Sequence, residues 1–165
     1  MWKLPARPID AQSFAPFGRC IDLLKLGGDP DQSAYFPDLM RLQLPQPAAV
    51  SMGRVCACRR RLPFIEAHPA TAEIRLPLDG DIVLYVAPAQ PLEQLDPQEI
   101  QAFLVPRGTL VEIKPGILHG RQFTVDKPVV HVLFLCREHA VRQDTVARTF
   151  EENFDIEIVL NARRR

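Results

Sequence analysis

The chain has 165 residues, a length that suits one domain of roughly 100–200 residues with its own core. Twenty basic side chains balance twenty acidic ones, so no global field favours nucleic acid or an anionic membrane surface. The 16 prolines are about double the ordinary ~5% usage and point to many short strands joined by tight turns rather than to long helices. In chain order, Asp10 to Ala15 reads as a short helix capped by Asp10 and stopped by Pro16. Gly18 to Leu24 and Leu39 to Leu44 are strand candidates around the polar turn Gly27-Gly28-Asp29-Pro30-Asp31. Val50 to Cys58 alternates as a strand with Val50, Met52, Arg54, Cys56 and Cys58 on one face. Phe64 to His68 is a strand ending at Pro69, and Glu73 to Leu78 is another. The turn Leu78-Asp79-Gly80-Asp81 into Ile82 to Ala87 carries the Asp-Gly hairpin signal. Asp96-Pro97-Gln98-Glu99 has the features of a helix start, and that helix is expected to run to about Val105. Thr109 to Lys114, Arg121 to Val125 and Val129 to Cys136 are strands. Arg137 to Phe154 is expected to be partly helical, with Phe154 to Leu160 as a final edge strand. No repeat or linker divides residues 1–165, and the pattern suggests a single antiparallel barrel or sandwich.

Cys20, Cys56, Cys58 and Cys136 show no zinc-finger spacing; Cys56 and Cys58 share a strand face and could chelate a soft metal with Cys20, but buried structural thiols are the simpler reading of these. Met1 to Asp10 lacks the apolar stretch of a signal peptide. The longest apolar run, Val129 to Cys136, is far short of the ~20 residues a spanning helix needs. The expectation is a cytoplasmic protein with reduced thiols. Arg59-Arg60-Arg61 and Arg163-Arg164-Arg165 read as a strand end and a tail rather than a binding patch.

The chemistry concentrates in Glu66-x-His68-x4-Glu73-x6-Gly80. Residues two apart on a strand point the same way, so Glu66 and His68 face one interior together. Pro69 then turns the chain, and Glu73 opens the returning strand. Gly80 permits the tight hairpin that follows. Further on, Lys114-Pro115-Gly116 makes a turn, and Leu118-His119 begins a strand. Two carboxylates and two imidazoles form a mixed oxygen and nitrogen set suited to a divalent transition metal such as Ni, Mn, Zn or Fe. His131 in its apolar strand and His139 beside Glu138 read as packed or surface residues rather than ligands.

These residues resemble the two cupin motifs. His68, Glu73 and Gly80 match the second histidine, the glutamate and the last glycine of the first motif, with Glu66 where the first histidine usually stands. Pro115, Gly116 and His119 match the second motif, with Phe123 in place of its asparagine. The chain further resembles the ureidoglycolate lyase family, also called ureidoglycolate hydrolases. The residues that carry this are Gln12-Ser13-Phe14-Ala15-Pro16-Phe17-Gly18-Arg19-Cys20-Ile21-Asp22, Asp38-Leu39, Ser51-Met52-Gly53-Arg54, Leu62-Pro63, Glu66-Ala67-His68-Pro69, Pro77-Leu78-Asp79-Gly80, Gln101-Ala102-Phe103 and Gly116-Ile117-Leu118-His119. Family members usually have a second histidine where this chain has Gly120, Asp-Arg where it has Cys136-Arg137, and an aromatic or aliphatic residue where it has Arg75.

The resemblance implies a mainly β, cupin-type, jelly-roll-like antiparallel barrel with a few short helices. It implies a lyase that cleaves ureidoglycolate to glyoxylate and urea in purine and allantoin catabolism. His68, Glu73 and His119 would hold the metal, with Glu66 as fourth ligand or general base. Arg54 or Arg75 is the choice for clamping the substrate carboxylate, each being otherwise a surface strand residue, and Tyr85 either lends its phenol to the pocket or packs in the core. A homodimer is expected, with a small carboxylate substrate and neither nucleic acid nor membrane as partner. The alternatives are a non-catalytic cupin that binds or senses a small organic acid, and a cupin enzyme acting on another small carboxylate.

Overall fold

A computed structural model describes residues 2–29, 32–45, 47–150 and 155–160. The strands are β1 (Trp2–Pro8), β2 (Gly18–Asp22), β3 (Ala48–Cys56), β4 (Phe64–Ala67), β5 (Glu73–Pro77), β6 (Ile82–Ala87), β7 (Gln101–Val105), β8 (Thr109–Ile113), β9 (Leu118–His119), β10 (Phe123–Thr124), β11 (Val129–Arg137), β12 (Val146–Thr149) and β13 (Ile156–Leu160). The helices α1 (Ala11–Phe14) and α2 (Ala140–Gln143) are single turns. The larger sheet runs β12-β4-β9-β6-β7-β1-β13, with β10 also on β6, and the smaller runs β2-β8-β5-β11-β3.

β6 at the middle of the larger sheet is buried on both faces, which carry alternate side chains. On β6, Ile82, Leu84 and Val86 join Phe103, Val111, Val130 and Val132 in the core between the sheets. Val83, Tyr85 and Ala87 point the other way, into a second core with Leu4, Ile65, Leu118 and Ile156. The larger sheet curls around that second core until β13 meets the chain leading into β4. There the Leu62 amide donates to Ile156 O (3.1 Å) and the Ile158 amide to Arg60 O (2.9 Å). This is the expected mainly β, curled cupin architecture.

Several local expectations differ from the structure. The segment after Asp96 is not a helix to Val105. Its capping box is present, but it closes only a 3-10 turn over Pro97–Glu99, and Gln101–Val105 is strand β7. Burying Phe103 between β6 and β1 outweighs the weak local helix preference. The Asp79-Gly80 turn is not a hairpin, since β5 belongs to the smaller sheet and β6 to the larger. It carries the chain from one sheet to the other, and a Cβ at Gly80 would lie 2.7 Å from Val130 Cγ2. Asp79 is pinned there by His131, whose amide and Nδ1 lie 2.8 and 2.6 Å from its carboxylate oxygens.

Leu39 to Leu44 is irregular, and Arg41 O there accepts from Arg19 Nη2 (2.6 Å). Leu23–Lys25 is a 3-10 turn, and the strand around Arg121 to Val125 is only β10. β1 was not anticipated, because Pro5 and Pro8 argue against a strand; it pairs in parallel with both β7 and β13. Pro30, Asp31, Phe154 and the Arg163-Arg164-Arg165 cluster lie outside the described residues. Among the described residues no helix is long and apolar enough to cross a membrane.

Candidate metal centre

The cluster forms where the two sheets face each other. Glu66 on β4 is directly opposite His119 on β9, and His119 is opposite Val86 on β6. Register partners point to the same side of a sheet, so Glu66 and His119 share the face that carries Val86 into the inter-sheet core. His68 follows the end of β4. Across the gap, Glu73 and Arg75 on β5 lie opposite Ile113 and Val111, whose side chains fill the same core.

Ligand atoms of Glu66, His68 and His119 all lie within 4.8 Å of one another. His68 Nδ1 lies 2.9 Å from Asp144 O, and His119 Nδ1 lies 2.8 Å from Ile117 O. A carbonyl only accepts, so each ring carries a proton on Nδ1 and turns Nε2 toward the cluster; His68 in the metal-free chain also carries one on Nε2, donated to the Glu73 carboxylate, which a bound metal would replace. Such outward anchoring is the usual support of a metal-binding imidazole. His119 Nε2 is buried and has no hydrogen-bond partner; the nearest carboxylate oxygens, of Glu73 and Glu66, are 3.9 and 4.0 Å away. A fully buried unsatisfied nitrogen facing two carboxylates and a second imidazole fits a metal ion.

Glu73 is held differently. Its Oε2 lies 3.0 Å from His68 Nε2, and its Oε1 accepts from Arg75 Nε. Arg75 is 2% exposed, its Nη1 donates to Gly120 O (2.9 Å), and its guanidinium lies 5.5 Å from the Phe134 ring centroid. With its amide oxygen turned inward, Gln122 accepts from Arg75 as well. Burial alone would raise the Glu73 carboxyl, but the Arg75 charge, the His68 bond and the nearby His119 ring hold it far below the usual carboxylate range. Glu66 is raised, chiefly by burial. Burial would lower His68, yet its bonds to Glu73 and Asp144 O leave it raised. His119 is pushed down to about 4 by burial and by the Arg75 charge.

The structure therefore brings together Glu66, His68, Glu73 and His119, and adds Arg75, which is buried rather than a surface strand residue. Two expected substrate-binding residues lie elsewhere. Arg54 is exposed and sits opposite His131, on the outward face of the smaller sheet, because the neighbouring Val55 and Val132 take the inward positions. Tyr85 points away from the cluster into the second core, and its hydroxyl donates to Phe64 O. Burial raises that phenol well above its usual range.

Tyr85 also explains Gly120. A Cβ at residue 120 would lie 1.8 Å from Tyr85 Oη and 2.1 Å from Cζ, so the phenol ring occupies the space that a side chain would need. Gly120→Ala is expected to destabilise the fold by about 1–3 kcal/mol through overpacking, and a second change, Tyr85→Leu, should recover part of the loss in urea unfolding.

Gln122, Asp144 and Thr145 were missed from sequence. Gln122 sits among strand-like residues with nothing to mark its partner, and the other two reach the cluster only through the tertiary fold.

The family model described as ureidoglycolate lyase matches residues 1–157. The chain belongs to the ureidoglycolate lyase family. Relatives within it include the ureidoglycolate lyase of Rhodobacter capsulatus, 32% identical over 130 residues, which are 73% of this chain and 78% of that one. Ureidoglycolate lyase 2 of Rhizobium meliloti is 30% identical over 135 residues, covering 73% and 77% of the two chains. Among solved structures, a dTDP sugar isomerase from Desulfovibrio desulfuricans aligns with a TM-score of 0.50 at 13% identity, over 70% of this chain and 75% of that one. That likeness concerns the fold. As a member of the ureidoglycolate lyase family, the protein is a lyase.

The buried groups make a pH prediction for the chelator-treated protein. His119 titrates near 4 when folded but near 6.5 when unfolded. As pH falls from 6.5 toward 4, the unfolded chain gains a proton there that the folded chain refuses, so stability drops. His68 is shifted upward, so its contribution is fully present below 6.5 and does not vary in that window. Glu66, also raised, opposes the loss in part, while Glu73 adds a further loss below about 4.5. Urea unfolding at pH 7 and pH 4.5 should differ by up to about 3 kcal/mol, and His119→Gln should flatten the profile.

Proposed function

We propose that this protein cleaves ureidoglycolate to glyoxylate and urea, using a divalent transition metal (Ni, Mn, Zn or Fe) held by Glu66, His68 and His119 with Glu73 beside them. The observation that carries the metal reading is the buried, unpartnered Nε2 of His119 facing both carboxylates and the second imidazole. When bound, the metal supplies Lewis-acid polarisation and a template for the substrate oxygens.

Ureidoglycolate is a carbinolamine bearing a carboxylate. Its hydroxyl loses a proton, the C–N bond breaks, the carbon–oxygen bond becomes the aldehyde of glyoxylate, and the ureido nitrogen leaves with a proton as urea. Water is neither consumed nor released, so a single group that takes the hydroxyl proton and returns it to nitrogen completes the reaction. Glu66 suits that work. Its side chain is 25% exposed, against 9% or less for Glu73, His68 and His119, so it is the member best placed to meet substrate. Burial raises its proton affinity toward the range useful for a general acid and base. Glu73, held ionised by Arg75 and His68, supplies fixed negative charge rather than a mobile proton.

The same reading places the protein in purine and allantoin catabolism, in the cytoplasm, where its four free cysteines would stay reduced. It also takes a homodimer as the working assembly. The support is β3, an edge strand of nine residues whose outward Val50 and Met52 are 69% and 68% exposed.

The test is an assay of purified protein with ureidoglycolate, following glyoxylate and urea together, with and without chelator. Both products should appear in equal amounts and cease when the metal is removed. Saturable binding of ureidoglycolate with no product under any metal would exclude the lyase reading.

A further inference from the structure

We propose that the segment Ala140–Thr149 is a clamp on the outer nitrogen of His68, and that Asp144 and Thr145 are positioning residues which set how tightly the centre holds its metal. The proposal rests on the metal reading above but concerns residues outside the cluster.

His68 lies one residue beyond the end of β4, so the strand does not hold its ring directly. The later segment does so instead. After α2, the chain passes the outer edge of the imidazole, where Asp144 O lies 2.9 Å and Thr145 Oγ1 lies 3.2 Å from Nδ1. The Thr145 hydroxyl donates to Ala140 O (3.2 Å), which leaves its oxygen lone pair to accept from the ring. The Nδ1 proton is thus shared between two acceptors, and Nε2 is left facing inward.

The clamp is tied down at both ends. The Asp144 amide donates to Ala140 O (2.8 Å) and closes α2 behind it. The Asp144 carboxylate accepts the Ala70 amide at 3.1 and 3.2 Å, fastening the clamp to the loop that follows His68. Beyond Thr145 the chain becomes β12 and zips onto β4, pairing Ala147 with Glu66 and Val146 with Ala67. Arg148 Nη1 adds a bond to Leu92 O (2.9 Å). One segment therefore fixes the imidazole of His68 and forms the neighbouring edge of the strand that carries Glu66. Outer partners of this kind commonly contribute about 10–100-fold in metal affinity.

The test compares wild-type protein with Thr145→Val, Thr145→Ser and Asp144→Ala by zinc(II) titration against a competing chelator. It adds 15N spectra of the histidine rings in the metal-free protein at about pH 9, where imidazole is neutral. Thr145→Val, nearly isosteric, should weaken zinc binding by about 10-fold, and Thr145→Ser should restore it. Asp144→Ala should weaken it by about 10–100-fold. In the spectra, the proton of neutral wild-type His68 should sit largely on Nδ1 against the pull of the Glu73 carboxylate at Nε2, and both damaging variants should move it toward Nε2. A purely structural segment would leave that ring signal unchanged. Zinc affinity and tautomer unaltered in both Thr145→Val and Asp144→Ala would overturn the proposal. If wild-type protein takes up no zinc, the metal reading fails, and the ring spectra of the metal-free chain still decide whether the clamp exists. Should Asp144→Ala fail to fold, the Thr145 pair decides alone.

Discussion

Replacing Arg75 by methionine is expected to lower the unfolding free energy by about 3–5 kcal/mol, the cost of leaving one partner of a buried ion pair uncompensated. The side chain is 2% exposed and lies between Glu73, Gly120 O and Gln122, above the Phe134 ring. Without it, Glu73 would keep its charge in a dry site with only His68 beside it, or take up a proton and lose the bond that His68 donates. The Gly120 carbonyl would also lose its partner. Lysine is a poor substitute, since a single ammonium cannot reproduce the forked set of donors. The double variant Arg75→Met with Glu73→Gln should be more stable than Arg75→Met alone, because no naked charge remains. Guanidinium unfolding of the four proteins in the cycle measures this. A loss below about 1 kcal/mol in the single variant would mean that the pair is solvated and the site far more open than described.

The second large effect is expected at His119. Changing it to glutamine keeps a polar side chain of similar bulk in a position that is 1% exposed, but removes the only cluster nitrogen without a partner. Metal affinity should fall by more than the 10–100-fold typical of an outer partner, and glyoxylate release by at least about 100-fold. Glu66→Gln should behave differently. The amide cannot take the hydroxyl proton, so turnover should fall while part of the metal affinity survives. Measuring kcat and metal affinity in both variants separates ligand from base. Equal loss of both quantities in Glu66→Gln would make Glu66 a ligand alone.

The constellation was legible because it rests on local rules. The two-residue period of a strand aligned Glu66 with His68, the proline after it forced a return, and the turn at Pro115-Gly116 set up His119. What could not be read is what depends on the opposite side of a sheet or on distant chain. Tyr85 is one residue out of phase with the cluster, and only the register of β6 against β9 reveals it. Arg54 lost its inward place to Val55, a choice fixed by pairing with β11. The helix expected after Asp96 had a correct cap, but the buried slot between β6 and β1 decided the backbone beyond Glu99. Asp79-Gly80 has the residues of a hairpin and makes a crossing between sheets, because Asp79 is held by His131 on β11, 52 positions away. The departure at Gly120, which set this chain apart from the expected pattern, reads in the structure as room for the Tyr85 ring.

The most direct test of the central claim is a metal titration of chelator-stripped protein in the presence of ureidoglycolate, with glyoxylate and urea followed together. Activity should be absent at the start, rise with added nickel, manganese, zinc or iron, and level off near one ion per chain, with the two products in equal amounts and His119→Gln inactive throughout. Full turnover by the stripped protein with chelator still present would contradict a metal centre built on Glu66, His68 and His119.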